Sequence, residues 1–256
     1  MTEGSISVAR EGTVAVLTLE RPGKANAVTQ AMADELHEAC READADPDVR
    51  AVLLRGAGRH FSGGSDLGSL DEFPTPWDYR NRVDYCDAVL ALRKPSVALV
   101  SGAAFGGGLE LAISCDLRVA DTTARFAAPE VKLGWVGGGG ASQLLPRLCG
   151  YGNAALLLLT GDPVDAEQAL RMGLVQAVVE PDRLEATGMS IAQAIAANAP
   201  IATQAAKAAL WRSLSLGVEA GMDYENELIT VCLGTDDSRE GIAAFFEKRE
   251  PAFRGR

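Results

Sequence analysis

Ser96-Val97-Ala98-Leu99-Val100-Ser101 runs into Gly102-Ala103-Ala104-Phe105-Gly106-Gly107-Gly108 and then Leu109-Glu110-Leu111-Ala112-Ile113-Ser114. By pattern this is a short apolar strand introduced by Pro95, a glycine-rich loop and a short helix. A strand feeding a helix through such a turn is the unit of an α/β fold with a largely parallel sheet. The same order recurs upstream. Thr13 to Leu19 reads as a strand, and Thr29 reads as the N-cap of a helix to about Ala43. Val49 to Arg55 reads as a strand, Gly56 to Gly64 as a loop, and Trp77 to Leu92 as a helix. Leu117 to Ala120 is a further strand. After Gly139 helical patterns dominate: Asp165–Met172, Arg183–Ala197, Pro200–Leu216, Val218–Leu233 and Asp237–Lys248, with Leu174–Val179 as the one strand. The expected division is an α/β core over 1–195 and a helical region over 196–256.

Composition narrows the class. The 256 residues carry a formal charge of 24 − 35 = −11. Nucleic-acid binding needs clustered Lys and Arg, so this balance excludes it. At first sight it also disfavours any polyanionic ligand. The opening MTEGSISVAR has no apolar run of the signal-peptide kind, and no stretch is as long as a membrane span. Cys40, Cys86, Cys115, Cys149 and Cys232 are scattered and odd in number, which argues against a disulfide framework. The expected location is cytoplasmic. With only His37 and His60 present, a multi-histidine metal site is excluded. Chemistry falls to carboxylates, hydroxyls and backbone groups.

Three loops qualify. The first, Arg59-His60-Phe61-Ser62-Gly63-Gly64-Ser65-Asp66-Leu67, follows a strand, where ligands of α/β sheets bind. Gly56-Ala57-Gly58 starts like a dinucleotide fingerprint, but Phe61 stands at the third glycine position. Neither Ser62 nor Ser65 sits in a nucleophile elbow. The second loop, Gly102 to Gly108, opens a helix whose first N–H groups lack intrahelical partners and favour negative charge. Glu110 lies one turn in. In the third, Phe126-Ala127-Ala128-Pro129-Glu130, an acid sits among small and apolar residues that favour its protonated form. Gly137 to Gly140 follow it. Each loop alone also reads blandly, as a tight turn or a solvated acid. Together, two glycine loops and two carboxylates suit a carbonyl substrate whose oxygen turns negative while a proton moves next door.

This constellation resembles the crotonase superfamily, and the enoyl-CoA hydratases within it. The resemblance rests on RPGKANAV (Arg21 to Val28), FSGGSDL (Phe61 to Leu67), KPSVALVSGAAFGGGLELAISCDLRVA (Lys94 to Ala120) and FAAPEVKLG (Phe126 to Gly134). It continues through LTGDPVDAEQALRMGLV (Leu159 to Val175) and TDDSREGIAAFFEKREPAF (Thr235 to Phe253). It implies a spiral of ββα turns, a helical C-terminal trimerisation region and a homotrimer or homohexamer. It implies an oxyanion hole from the N–H groups of Gly63 and Gly107, with Glu110 and Glu130 as catalytic acids. CoA would lie along Lys24, Ala25, Ala27, Gly63, Gly64, Ser65, Asp66, Leu67 and Gly107, with Lys248 near its phosphates. The implied reaction adds water to a trans-2-enoyl-CoA, with no cofactor beyond the CoA of the substrate and no metal. The alternatives it leaves are isomerisation, decarboxylation, thioester hydrolysis or acyl-CoA binding without turnover. Gly137 stands where many hydratases have proline, which is expected to loosen that turn. Trp77, Tyr79 and Trp135 are candidates for shaping the acyl pocket. Lys24 and Lys248 are expected to form a basic patch at the pocket mouth of an acidic protein.

Overall fold

The structure is a computed structural model that describes residues 4–256. Met1, Thr2 and Glu3, which begin the stretch read for a signal segment, lie outside the described residues. The strands are β1 (Ser5–Glu11), β2 (Val14–Glu20), β3 (Ala51–Gly56), β4 (Ser96–Val100), β5 (Ala103–Phe105), β6 (Leu117–Asp121), β7 (Arg125–Ala127), β8 (Val164–Asp165) and β9 (Ala177–Val179). The helices are α1 (Gln30–Ala45), α2 (Pro76–Arg80), α3 (Tyr85–Leu90), α4 (Gly107–Ser114), α5 (Ala141–Cys149), α6 (Tyr151–Thr160), α7 (Ala166–Arg171), α8 (Leu184–Ala196), α9 (Pro200–Ser213), α10 (Val218–Leu233) and α11 (Asp236–Glu247).

Six strands form one sheet in the order β1-β2-β3-β4-β6-β9, and β5-β7-β8 form a second. In the large sheet β1 pairs antiparallel with β2 and all other pairs are parallel. The chain passes from β4 to β5 to α4, then from β6 to β7 and on to α5. These two turns each give one strand to each sheet and then a helix, the ββα unit of the spiral, while the loops after β2 and β3 contribute only the isolated bridges Val28–Ser65 and Ser62–Ala104. Alternate residues of the parallel strands face opposite cores, as period 2 requires. Leu17, Leu54, Ala98, Val100 and Ala120 pack toward α1, α3 and α4. Val16, Leu53, Val97, Leu99 and Val119 face α8. Both faces are covered, which is why these strands read as continuous apolar runs.

Several boundaries differ from the sequence expectation. β1 was not expected: SISVARE lacks a buried face and lies almost wholly exposed. It forms through a full seven-pair register with β2, across the two-residue turn Gly12-Thr13, where Gly12 has φ 63°. The helix expected over Trp77–Leu92 is two helices, because Asp84 leaves helical backbone to cap α3 and accepts from Cys86 N–H. The expected glycine loop contains β5, and the strand expected over Leu174–Val179 shortens to β9. Thr29 caps α1 by accepting from Met32 N–H at 3.2 Å, as expected.

The C-terminal helices differ in how they attach. From α9, Lys207 reaches Asp116 at 2.8 Å and donates to the Lys94 carbonyl at 3.0 Å. Trp211 Nε1 donates to the other Asp116 oxygen at 3.1 Å. By contrast, no residue of α10 is buried in the single chain.

Candidate active site

The site lies at the carboxyl ends of β3 and β4. There the first glycine loop docks onto β5: Ser62 N–H donates to Ala103 O at 2.9 Å, and Phe105 N–H donates to Ser62 O at 3.0 Å. The contact is backbone against backbone. A Cβ on Gly108 would lie 2.2 Å from Ser62 O, and one on Gly64 would lie 2.7 Å from Phe105 O. Gly64 also has φ 97°, so glycine is required there on two counts.

Asn26 supports this loop from below. It is fully buried in left-handed backbone (φ 52°), and its side-chain oxygen accepts from Arg21 N–H at 2.9 Å. Its amide donates to Ala57 O and His60 O. Arg21, also buried, pairs with Asp66 at 2.7 Å. Asp66 is partly desolvated, yet Arg21 and Gly68 N–H hold its carboxyl below the usual range. The RPGKANAV motif therefore sets the loop's shape, and Asp66 serves it as an ion-pair partner.

Gly63 does not carry the role expected of it. Its N–H donates to Ala25 O at 2.7 Å and is used up inside the protein. Two residues on, the Ser65 N–H has no acceptor among the described residues, because Val28 bonds its flanking Gly64 carbonyl and Asp66 amide instead. Gly107 N–H, at the start of α4, is likewise without an acceptor among them. Gly64 joins the two, since a Cβ on it would lie 3.0 Å from Gly107 N. Ser65 and Gly107 are therefore the pair of free donors. The spacing FSGGSDL did not distinguish Ser65 from Gly63. Only the parallel bridge Val28–Ser65 does.

Both expected acids flank this spot. Glu110 is 4% exposed and accepts from Ala141 N–H at 3.1 Å. Burial pushes its pKa up against this hydrogen bond, and the charge of Glu130 adds to the rise. Glu130 is half-buried, its Oε1 beside Gly106, where a Cβ would lie 3.0 Å away. Its Oε2 is buried with no hydrogen-bond partner, and desolvation raises this pKa too. An unpartnered carboxylate oxygen in such a place suits a protonated acid or an incoming water.

Gly137 and Gly139 do more than loosen a turn. A Cβ on Gly137 would lie 2.5 Å from Glu110 Oε1, and one on Gly139 would lie 2.9 Å from Oε2 and 2.7 Å from Cys86 Sγ. Glu110 occupies the space that side chains at 137 and 139 would fill.

A family model for enoyl-CoA hydratase/isomerase matches residues 9–256. The chain belongs to the enoyl-CoA hydratase/isomerase family. It is 38% identical over 256 residues to the short-chain-enoyl-CoA hydratase of Clostridium acetobutylicum, covering 98% of this chain and 97% of that one. It is 36% identical over 250 residues to the 2,3-dehydroadipyl-CoA hydratase of Escherichia coli, covering 97% and 98%. An enoyl-CoA hydratase structure from Geobacillus kaustophilus superposes with a TM-score of 0.92 at 35% identity, covering 98% of both chains. One from Bacillus anthracis gives 0.92 at 33%, covering 98% and 99%.

The remaining expected residues of this hydratase/isomerase family member divide. Lys24 is exposed beside Ala25, near enough for its charge to act on Asp66. Ala27 and Leu67 border the same loop. Among the described residues Lys248, exposed at the end of α11, makes no hydrogen bond or ion pair with the Gly63 or Gly107 loops. Its tail is tied to the opposite end of the sheet, where Arg50 donates to Phe253 O at 2.7 Å just before β3. Trp77 is 67% exposed. Tyr79 instead stacks edge-to-face with Phe73 at 5.4 Å, beside a small cleft also lined by Ser65 and Tyr85. Among the described residues no group of three His, Cys, Asp or Glu is placed to hold a metal ion, and no helix is long and apolar enough to cross a membrane.

The buried acid has a thermodynamic signature. A carboxyl with a raised folded pKa adds stability below its unfolded pKa, and that stability is lost as pH rises through the folded value. Glu110→Gln is therefore expected to raise the melting temperature relative to the parent at pH 8. The advantage should vanish near pH 4, where the parent is protonated. Equal destabilisation at both pH values would mean that Glu110 costs nothing when ionised.

Proposed function

We propose that this chain is an enoyl-CoA hydratase that adds water to trans-2-enoyl-CoA thioesters to give 3-hydroxyacyl-CoA. The observation that carries the reading is two free backbone N–H groups flanked by a buried acid, Glu110, and a half-buried one, Glu130, whose Oε2 has no hydrogen-bond partner among the described residues. The thioester oxygen docks between Ser65 and Gly107. As water attacks C3, negative charge collects on that oxygen, where the N–H groups and the α4 dipole meet it. Glu110 accepts a hydrogen bond from the water and draws its proton. Glu130, protonated at the start, delivers its proton to C2, and proton exchange with solvent returns Glu110 to the carboxylate and Glu130 to the acid before the next turnover. The enolate collapses as C2 is protonated, so water is the only atom source consumed. No redox change occurs, and no cofactor enters the balance.

The presence of both acids favours hydration over simple isomerisation, in which one acid suffices to move a proton. The relatives named as hydratases support the same choice. Crotonyl-CoA tests it: loss of the conjugated thioester absorbance with a product heavier by one water is expected. A 3-enoyl-CoA converted to its 2-enoyl isomer without net hydration would overturn the choice.

CoA extends from the hole along Lys24, Ala25, Ala27 and Gly63 to Leu67. Lys24 supplies positive charge at the mouth, and Lys248 comes from a neighbouring subunit. Such an assembly, a homotrimer or homohexamer, covers the apolar surface that α10 leaves open, including Val218, Met222 and Ile229. A cytoplasmic location fits the free cysteines.

A further inference from the structure

Tyr85 is 6% exposed, at the start of α3, and its hydroxyl lies 2.9 Å from Ser65 Oγ. It also abuts Gly107: a Cβ there would fall 1.8 Å from the phenol oxygen and 3.4 Å from Ser65 Oγ. The hydrogen-bonded hydroxyls thus link the Ser65 side chain to the backbone of Gly107, the two residues whose N–H groups are free. They hold two O–H protons between them, and their mutual hydrogen bond uses only one. Neither group has another acceptor among the described residues. The phenol is the more acidic hydroxyl and hence the better donor. That directs Tyr85 O–H to Ser65 Oγ and leaves the Ser65 proton free for another acceptor. A hydroxyl that accepts one hydrogen bond becomes a stronger donor of the next.

We propose that the oxyanion hole has a third donor, the Ser65 hydroxyl, which Tyr85 orients and polarises. Ser65 then meets the thioester oxygen twice, through its backbone N–H and its side chain. Tyr85 is a positioning residue that acts only through Ser65. This inference rests on the hydratase reading and adds to it a part that the backbone donors do not provide.

The test uses Ser65→Ala, Tyr85→Phe and the double variant in the full-length protein with crotonyl-CoA. Ser65→Ala keeps the backbone N–H and removes only the hydroxyl. It is expected to lower kcat by about 10²-fold, the low end for losing one oxyanion donor, with KM little changed. Tyr85→Phe should lower kcat by a smaller factor, and the double variant should match Ser65→Ala. Bound 4-dimethylaminocinnamoyl-CoA reads the polarisation of the carbonyl directly, and its red shift should shrink in both single variants. A kcat for Ser65→Ala equal to that of the parent, or a double variant that multiplies the two losses, would overturn the proposal. So would an unchanged red shift. Should Tyr85→Phe fail to fold, Ser65→Ala with its spectrum decides alone. If the parent itself hydrates no enoyl-CoA, the hydratase reading fails. If only the variants behave like the parent, the third donor alone fails.

Discussion

Glu110→Gln and Glu130→Gln are each expected to lower hydration of crotonyl-CoA by about 10²–10⁴-fold, the usual contribution of a positioned acid or base. Glutamine retains the shape. In Glu110→Gln the side-chain oxygen still accepts from Ala141 N–H, so the cradle of Gly137 and Gly139 keeps its occupant. What is lost is the proton site. The two acids act on one proton path, so the double variant should lose far less than the product of the single losses. The pH profile of the parent carries the same information. Burial raises both carboxyls, and Glu110 feels the charge of Glu130 besides. The pair therefore keeps a proton at pH values where ordinary carboxyls have lost theirs. The alkaline limb of kcat/KM is expected above the ordinary carboxylate range, and each single variant should remove one limb. Full activity in both variants would remove these acids from the mechanism.

Gly107→Ala is expected to lower kcat by about 10²–10³-fold, comparable to loss of an oxyanion donor. The new methyl would lie 1.8 Å from the Tyr85 hydroxyl. Tyr85 is buried, so its ring, the loop before α4 or α3 must shift. A shift of this kind takes the Gly107 N–H off its line. It is also overpacking, with an expected stability cost of about 1–3 kcal/mol. Gly152→Ala is the matched control. Its Cβ would meet nothing within 4 Å, in the helix α6, so activity should be unchanged. Binding of CoA esters by Gly107→Ala, measured separately, distinguishes a lost transition-state contact from a lost site. kcat is expected to fall with KM nearly constant.

The parallel sheet was legible because both of its faces are buried. VAVLTL, AVLL and SVALV read as strands in any context that covers them. β1 was not legible, since its order comes from pairing with β2 and not from any buried face. The break between α2 and α3 hinged on Asp84, whose capping role competes with a helical pattern that runs on past it. The acids Glu110 and Glu130 were visible through their neighbours. Gly63 misled because a glycine invites a free N–H, whereas this amide is spent on Ala25. Ser65 carries the free donor instead, and only the hydrogen-bond direction of the Val28 bridge reveals that. Tyr85 gave no signal at all, because nothing in YCDAVL points back to Gly107. The net charge of −11 does not count against CoA at the site. It governs long-range encounter, whereas the reacting thioester meets neutral N–H groups, and solvent salt screens beyond about 10 Å at 0.1 M.

One spot, bounded by Ser65, Gly107, Glu110 and Glu130, adds water to an enoyl thioester. Turnover of crotonyl-CoA in H₂¹⁸O, read by mass spectrometry of the product, tests it most directly. The parent is expected to give 3-hydroxybutyryl-CoA carrying one ¹⁸O at C3, and Glu110→Gln almost none in the same time. Free CoA with labelled crotonate, or equal labelled product from Glu110→Gln, would contradict it.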